Sequence, residues 1–591
     1  MTGPEAAQGL VRGAHVAATL SVFGTFLFRA LVAPPALAAA SADAVARFDR
    51  RVGRLASASA AAALVTAAAW CWLQAETFAD GDAAARIFSV VPVVLLDTHF
   101  GPLVGGRLGL LLVAVLIFAL RRRIGSAVAN AGVAAALAAI AVLLQVALSH
   151  GVATEGAQRV LLVGSEGLHL VAAGAWLGAL LPLLLACRGF DIATAEAMAR
   201  RFSPLGQVCV ALLAVTSLVQ GCALVGGLPG LIGTDYGLLA TTKLGLFVAL
   251  LGLAALNRFR LRPLLGTPRG AVARRQLQRS IATETAIGLL VVLTAGMLLS
   301  LAPAIRQQPA WPFSRAPDVA ALADPTLAGW SAAALAALAL GAFGIARRRH
   351  TPAGVGAVAV LLCVVLAPWN RLFVAVHPTS FYRSPTGFTA ASIAHGARLY
   401  ASNCATCHAA RPPAGDESDG DLFWILSQGV PGPSTQAMPG LGDRLSMHDL
   451  WSIVDFLRAR RDAGAVAAAG LVPPGTLAPD APVGWNGKAV PLSRLRGHPV
   501  LLFATADREA PPAPESGAAL GITALRLSPD SDGWSAYAVI AGRDGASLAH
   551  TEFLIDADGF LRAIFRPGVD GGWADQNAIA AAVVALSGAL P

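Results

Sequence analysis

Apolar residues gather in long runs as far as about residue 370, and then the runs stop. A helix that crosses a bilayer needs about 20 mostly apolar residues. Ten stretches meet that need: 10–33, 54–75, 105–120, 127–149, 161–186, 204–226, 238–256, 281–302, 328–346 and 353–370. The run at 88–96 is shorter and ends at Asp97, which predicts a re-entrant or interfacial piece. Beyond residue 380 the pattern is that of soluble protein. A middle helix is expected at 421–432 and another from about Met447. Residues 463–480, rich in small residues and Pro, read as a linker. The stretch 551–573 reads as strand, tight turn at Asp558-Gly559, strand, and an amphipathic helix closes the chain.

Composition agrees with a membrane protein. Of 591 residues 55% are hydrophobic and 13% charged, against about 25% charged in soluble domains. This excludes an ordinary soluble enzyme, and the hydrophobicity excludes disorder. The first apolar run lacks a signal-peptide pattern and reads as a retained helix. The net charge of +9 comes from Arg clusters between the runs. No basic stripe is interleaved with aromatics, so nucleic acid is not an expected partner.

Arg placement sets orientation, because cytoplasmic loops carry the excess of Arg and Lys. With the N-terminus outside, the inner loops hold 20 Arg and the outer segments six: Arg12, Arg86, Arg107, Arg159, Arg306 and Arg315. Ten helices with both ends outside follow, and everything after residue 370 falls on the outer face. His15, Asp97, His99, His150, Glu166 and His169 then all lie towards that face. Glu166, His169 and Trp176 share one face of a helix. Charged groups within a span face the bundle interior or a water-filled cavity, and imidazole with carboxylate suits Cu(II). Capped helix ends are the plainer account of any one His. Lys243 and Glu284 are expected to pair with charges inside the bundle. Cys71, Cys187, Cys209, Cys222 and Cys363 are expected in membrane packing.

"SHGVATEG" at 149–156, "EGLHLVAAGAWLGALLPLL" at 166–184, "LLDTHFGPLVGGRLGLLL" at 95–112 and "TDYGLLATTKLGLFVALLGLAALNRFRLRPLL" at 234–265 resemble the copper resistance protein D (CopD) family. The likeness covers roughly residues 10–300. It implies copper handling at the inner membrane, commonly uptake alongside a periplasmic copper-binding partner. The scarcity of Met speaks against a Met-lined Cu(I) path.

"HGARLYASNCATCHAA" at 395–410 holds Cys404-Ala-Thr-Cys407-His408. C-x-x-C-H is the c-type haem attachment signature. Two thiols at this spacing reach the two haem vinyl groups, and the next imidazole meets the iron. A bare motif of this kind also serves as a redox or zinc pair. Met opposite His is the usual second axial ligand of cytochromes c. Met438 before Pro439 resembles the class I cytochrome c pattern, with His448 the alternative ligand.

The order of elements after residue 480 resembles a thioredoxin-like fold near the Sco and peroxiredoxin branch. Where that fold carries its cysteine pair this chain reads "ATADREAPPAPESG", and no Cys follows Cys407. Neither dithiol exchange nor the Sco copper site carries over. A docking or regulatory module is expected.

The fold class expected is therefore a polytopic all-α membrane bundle, an all-α cytochrome c domain and an α/β thioredoxin-like domain. The domains are 1–302 (eight membrane helices), 303–384 (two more and a connector), 385–462 (cytochrome), 463–480 (linker) and 481–591. The function expected is copper uptake or homeostasis with electron transfer by a haem c. The candidate ligands are Cys404, Cys407, His408 and Met438 for haem, and His15, Asp97, His99, His150, Glu166 and His169 for copper. Lipid, copper ions, a periplasmic copper-binding protein and a redox partner are the expected partners. Two alternatives are an electron-transfer protein with a haem b in the bundle, and a sensor or assembly factor for respiratory copper sites.

Overall fold

The computed structural model describes residues 3–587 apart from 80–83, 122, 124–125, 150–155, 319–320, 322, 347–349, 409–416, 434–436, 470, 486–487, 506–521, 530, 544 and 568–575. The chain forms two units, Met1–Pro309 and Ala310–Pro591.

The first unit is a helical bundle: α1 (Gly3–Leu27), α2 (Ala42–Phe78), α3 (Ala84–Leu96), α4 (Phe100–Ala119), α5 (Ala127–Leu143), α6 (Gly156–Trp176), α7 (Leu180–Gly189), α8 (Ile192–Leu224), α9 (Asp235–Leu256) and α10 (Gly270–Leu298). Among the described residues of the whole chain, nine helices are long and apolar enough to cross a membrane, eight of them in this unit. The apolar piece expected at 88–96 lies within α3, which is too short to cross and holds Pro92.

Two boundaries differ from the hydropathy pattern, each for a physical reason. The helix expected at 54–75 begins at Ala42, where the Ser41 hydroxyl accepts from the Ala44 amide. Its 37 residues span about 55 Å, beyond a hydrocarbon core of about 30 Å. The turns bearing Arg47, Arg50, Arg51 and Arg54 therefore extend past the apolar layer. The single helix expected at 161–186 is broken into α6 and α7. At the break Gly178 lies against α1: a Cβ there would meet the Leu20 carbonyl at 2.1 Å, and one on Gly24 would meet Gly178 at 2.2 Å. Bare backbones let helices approach this closely, the usual packing device where lipid removes the hydrophobic drive.

α1 is the centre of the bundle. Its apolar residues Leu20, Val22, Phe23 and Phe26 are buried, with Phe26 5.1 Å from Phe118 of α4. A π-helical turn, Phe28–Val32, continues α1. It brings Arg29 to Asp49 of α2 at 2.6 Å, both buried, with Arg121 at 3.8 Å from the same carboxylate. Leu112, Leu116, Val208, Val215 and Val248 point outward, as a lipid-facing surface requires.

The second unit opens with α11 (Pro325–Ala346) and α12 (His350–Leu366). The tenth expected span, 353–370, is thus a helix of 17 residues, and its apolar part is too short to count among the nine. Then come α13 (Ala390–Asn403), the short α14 (Ala405–His408), α15 (Asp419–Gln428) and α16 (Met447–Ala469). α16 runs on through Ala469, into the stretch expected as a linker. A four-stranded sheet follows, built from β1 (Val500–Ala504), β2 (Thr523–Leu527), β3 (Glu552–Ile555) and β4 (Leu561–Phe565) in the order β4-β3-β1-β2. β1 pairs parallel with β2 and antiparallel with β3, and β4 pairs antiparallel with β3. The buried β1 reads Val-Leu-Leu-Phe-Ala, the continuous apolar run that a strand covered on both faces needs. α17 (Asp532–Ile540) and α18 (Gln576–Ser587) complete it. Phe388, Ala390, Ile393 and Ala459 share one core with Val483, Leu502, Trp534 and Tyr537, so the helical and sheet regions of this unit are packed together.

Candidate functional site

In the bundle, polar side chains sit where the helices cross. His15 on α1 is fully buried. Its Nδ1 lies 2.9 Å from the Ala63 carbonyl of α2, and its ring 5.8 Å from Trp70. Arg12, one turn earlier, places its guanidinium 5.2 Å over Trp70 and donates to the Leu299 carbonyl at 3.1 Å and to that of Leu148. Arg107 of α4, also fully buried, donates through Nε to the Ala141 carbonyl at 3.1 Å. His169 of α6 places Nδ1 2.9 Å from the Thr216 hydroxyl of α8. That hydroxyl donates back to the Leu212 carbonyl, which leaves its lone pair to receive the imidazole N–H.

These groups form one electrostatic chain. Arg107 acts on His15, Arg12 on Arg107, Glu166 on Arg12, and Lys243 on both Glu166 and His169. Three of the six expected copper residues, His15, Glu166 and His169, are therefore brought into one polar track. Asp97 and His99 are exposed, in the turn between α3 and α4. His150 lies outside the described residues. Lys243 joins the track as expected, whereas Glu284 lies elsewhere, accepting from Asn257 at 2.5 Å. Arg12, Arg107 and Gln145 were not singled out by pattern. An arginine embedded in an apolar run was the available signal. Buried polar groups are nearly always hydrogen-bonded. Yet His15 Nε2, both Arg107 terminal nitrogens and the Gln145 amide have no partner among the described residues.

The second site rests on the crossing of α13 and α16. Thr389 caps α13. Gly396 lets the helices touch, since a Cβ there would meet the Ser452 carbonyl at 1.9 Å. Tyr400 packs on Phe456 at 5.1 Å, and Phe423 stacks on Trp451 at 4.5 Å. Under the crossing lies Asp455, which accepts from Ser392 at 2.6 Å and from Thr386. Burial pushes its carboxyl above the usual range.

Cys404 ends α13, and α14 carries Cys407 and His408. Both thiols are unbridged, Cys404 buried and Cys407 exposed. Burial raises the Cys404 thiol, and the neighbouring Cys407 adds to this. Met438 packs partly buried against the core that contains Cys404, Leu441 and Trp451. Met447 is exposed. Two unbridged thiols and the adjacent imidazole on one short stretch, with a thioether on the core that holds Cys404, are the donor set a covalent haem requires, so the residues fit that group. His448 lies instead beside His395, with ring centroids 6.0 Å apart.

Helical bundle and haem-type domain together define a multi-pass membrane protein with an attached cytochrome c region. Residues 3–160 match the family described as copper resistance protein D-like, N-terminal domain, and residues 196–298 match copper resistance protein D. Residues 391–457 match cytochrome C oxidase, cbb3-type, subunit III. The chain thus carries a CopD-family membrane domain joined to a cytochrome c domain. It is 32% identical to copper resistance protein D of Pseudomonas syringae pv. tomato over 165 residues, 26% of this chain and 53% of that protein. It is 31% identical to copper transport protein CutJ of Bacillus subtilis (strain 168) over 138 residues, 23% of this chain and 24% of that one. The matches thus span about half and about a quarter of these curated relatives. No solved structure matches this chain.

Proposed function

We propose that the bundle passes copper across the inner membrane, from the outer face inward, and that the haem domain sets copper's redox state at that face. The polar track through His15, Glu166 and His169 carries this reading, because it lies within the CopD-like region. Glu166 offers one negative charge, whereas Arg12, Arg107 and Lys243 crowd the path with positive charge. Such a field makes cation binding weak, and a conduction path needs sites weak enough to leave. It penalises Cu(II) more than Cu(I), since the repulsion scales with charge.

Cys404 and Cys407 would hold a haem covalently, and His408 and Met438 would supply the donors to its iron. A haem bound there would supply one-electron transfer, and conversion of Cu(II) to Cu(I) would draw its electron from a redox partner that re-reduces the haem. The surrounding core keeps the site apolar through Phe423, Trp451 and Leu441. The Arg distribution supports placing this domain, and everything after residue 370, in the periplasm. Relatives named for copper resistance and copper transport support the cargo.

The sheet order, with a parallel first pair and an antiparallel third strand, supports a thioredoxin-like reading of the C-terminal region. Without cysteines its role is docking, and its shared core with the cytochrome helices supports that role. The test is copper accumulation by cells that express the chain. Cys404→Ala with Cys407→Ala should abolish covalent haem and lower accumulation at least several-fold. Unchanged accumulation would separate haem from copper and sink the coupling.

A further inference from the structure

The described residues hold one group of three His, Cys, Asp or Glu ligand atoms near enough to share a metal ion, and it lies outside the polar track. His395, His448 and Asp449 place one ligand atom each within 4.8 Å of one another. His395 comes from α13; the other two come from the first turn of α16. His395 Nε2 is 2.6 Å from Asp449 Oδ1. The other carboxylate oxygen of Asp449 is fixed by the helix start: it accepts from the Ser446 amide at 3.1 Å and the Ser446 hydroxyl at 2.8 Å. That capping box holds Oδ1 towards His395 and leaves it a free lone pair. His448 is exposed and makes no side-chain hydrogen bond among the described residues.

We propose that His395, His448 and Asp449 form a Cu(II)-binding site on the cytochrome domain. A His–Asp pair alone would be an ordinary hydrogen bond. The third donor distinguishes this group, because an exposed imidazole stands beside the pair with nothing else to bind. Metal–nitrogen and metal–oxygen bonds of about 2.0–2.2 Å set neighbouring ligand atoms about 3–4 Å apart. The pair stands closer than that, at the 2.6 Å of a hydrogen bond. Binding a metal therefore replaces the shared proton and opens the pair by under about 1 Å. A side-chain rotation of His448, already within 4.8 Å, completes the set. The carboxylate carries the second-shell hydrogen bonds that working metal ligands have. Half-exposure gives the ion an entry path.

The donor set selects the metal. Imidazole and carboxylate without sulfur suit Cu(II) better than the softer Cu(I) for tight binding, and Cu(II) stands at the top of the divalent affinity order. His395 lies nine residues before Cys404 on the same helix, about 13 Å along its axis. The site would therefore collect the oxidised ion on the element that ends at the haem attachment. The choice of copper rests on the cargo proposed above; the coordination does not.

The test is titration of the full-length, haem-loaded protein with Cu(II), followed by electron paramagnetic resonance. The expected result is a mononuclear Cu(II) signal with coupling to two nitrogens. His448→Ala, at an exposed position that leaves the fold intact, should remove one nitrogen and weaken binding at least about 10-fold. His395→Gln with His448→Ala should abolish the signal while the haem absorption spectrum stays unchanged. A signal untouched in both variants would place the copper elsewhere and overturn the proposal. Preference for Zn(II) over Cu(II) in competition would overturn it too. The difference between the wild-type and variant spectra reads this site, whereas cellular accumulation reads transport, so each proposal fails separately.

Discussion

Asp455 shows how one side chain makes the cytochrome region pH-sensitive. Its carboxyl is buried beneath the crossing of α13 and α16 and held above the usual carboxylate range. The folded state therefore binds this proton more tightly than the unfolded chain does. The stability linked to protonated Asp455 is fully present below the ordinary aspartate value of about 3.9. It is lost as pH rises through the raised native value. Denaturant unfolding of the haem domain, followed by haem absorbance, should show stability falling across that window. Asp455→Asn should flatten the fall, because an amide keeps an acceptor for Ser392 without a charge. An identical slope in the variant would assign the pH dependence to another group.

At the scale of elements, the bundle depends on a few crossings where side chains are missing. Gly24 is the sharpest case. Its added Cβ would meet Gly178 at 2.2 Å and the Gly174 carbonyl at 2.4 Å. Both are backbone atoms, which cannot swing aside as a side chain would. Overpacking of this kind costs typically about 1–3 kcal/mol, and a rigid neighbour puts Gly24→Val at the upper end. The melting temperature of the detergent-solubilised protein should drop accordingly. Gly105→Ala is the control: nothing stands within 4 Å of its added Cβ, and its melting temperature should hold. The Arg29–Asp49 pair ties the π-helical turn after α1 to α2 in the same manner. Breaking a buried pair from one side costs about 3–5 kcal/mol, so Asp49→Ala should destabilise the bundle more than Gly24→Val does.

At the scale of the whole molecule, the question is which prosthetic groups the chain carries. A pyridine haemochrome spectrum of the purified protein should show c-type haem alone, one per chain. That result leaves His15 and His169 available to copper. An added b-type signal would assign those histidines to a second haem and displace copper passage as the leading function.

The sequence by itself located the apolar helices of the bundle, because apolar runs are linear signals; ten spans were expected, and nine described helices are long and apolar enough to cross. It likewise determined the haem motif, where Cys404, Cys407 and His408 are contiguous. Met438 was expected from its Pro neighbour and loop, and it packs against the core that contains Cys404. Only the tertiary structure decided which polar residues meet. Asp97 and His99, expected to join the others, are exposed in a turn instead. Arg12 and Arg107, read from the chain only as outer-segment charges, and Lys243, expected only to pair with some charge, act on His15, Glu166 and His169. His395 and Asp449 are 54 residues apart, and no local pattern marks them as a pair. The crossing of α13 and α16, set by Gly396 against Ser452, places them side by side. Short-range chemistry is written along the chain, whereas a ligand set drawn from two helices exists only once their packing fixes the angle between them.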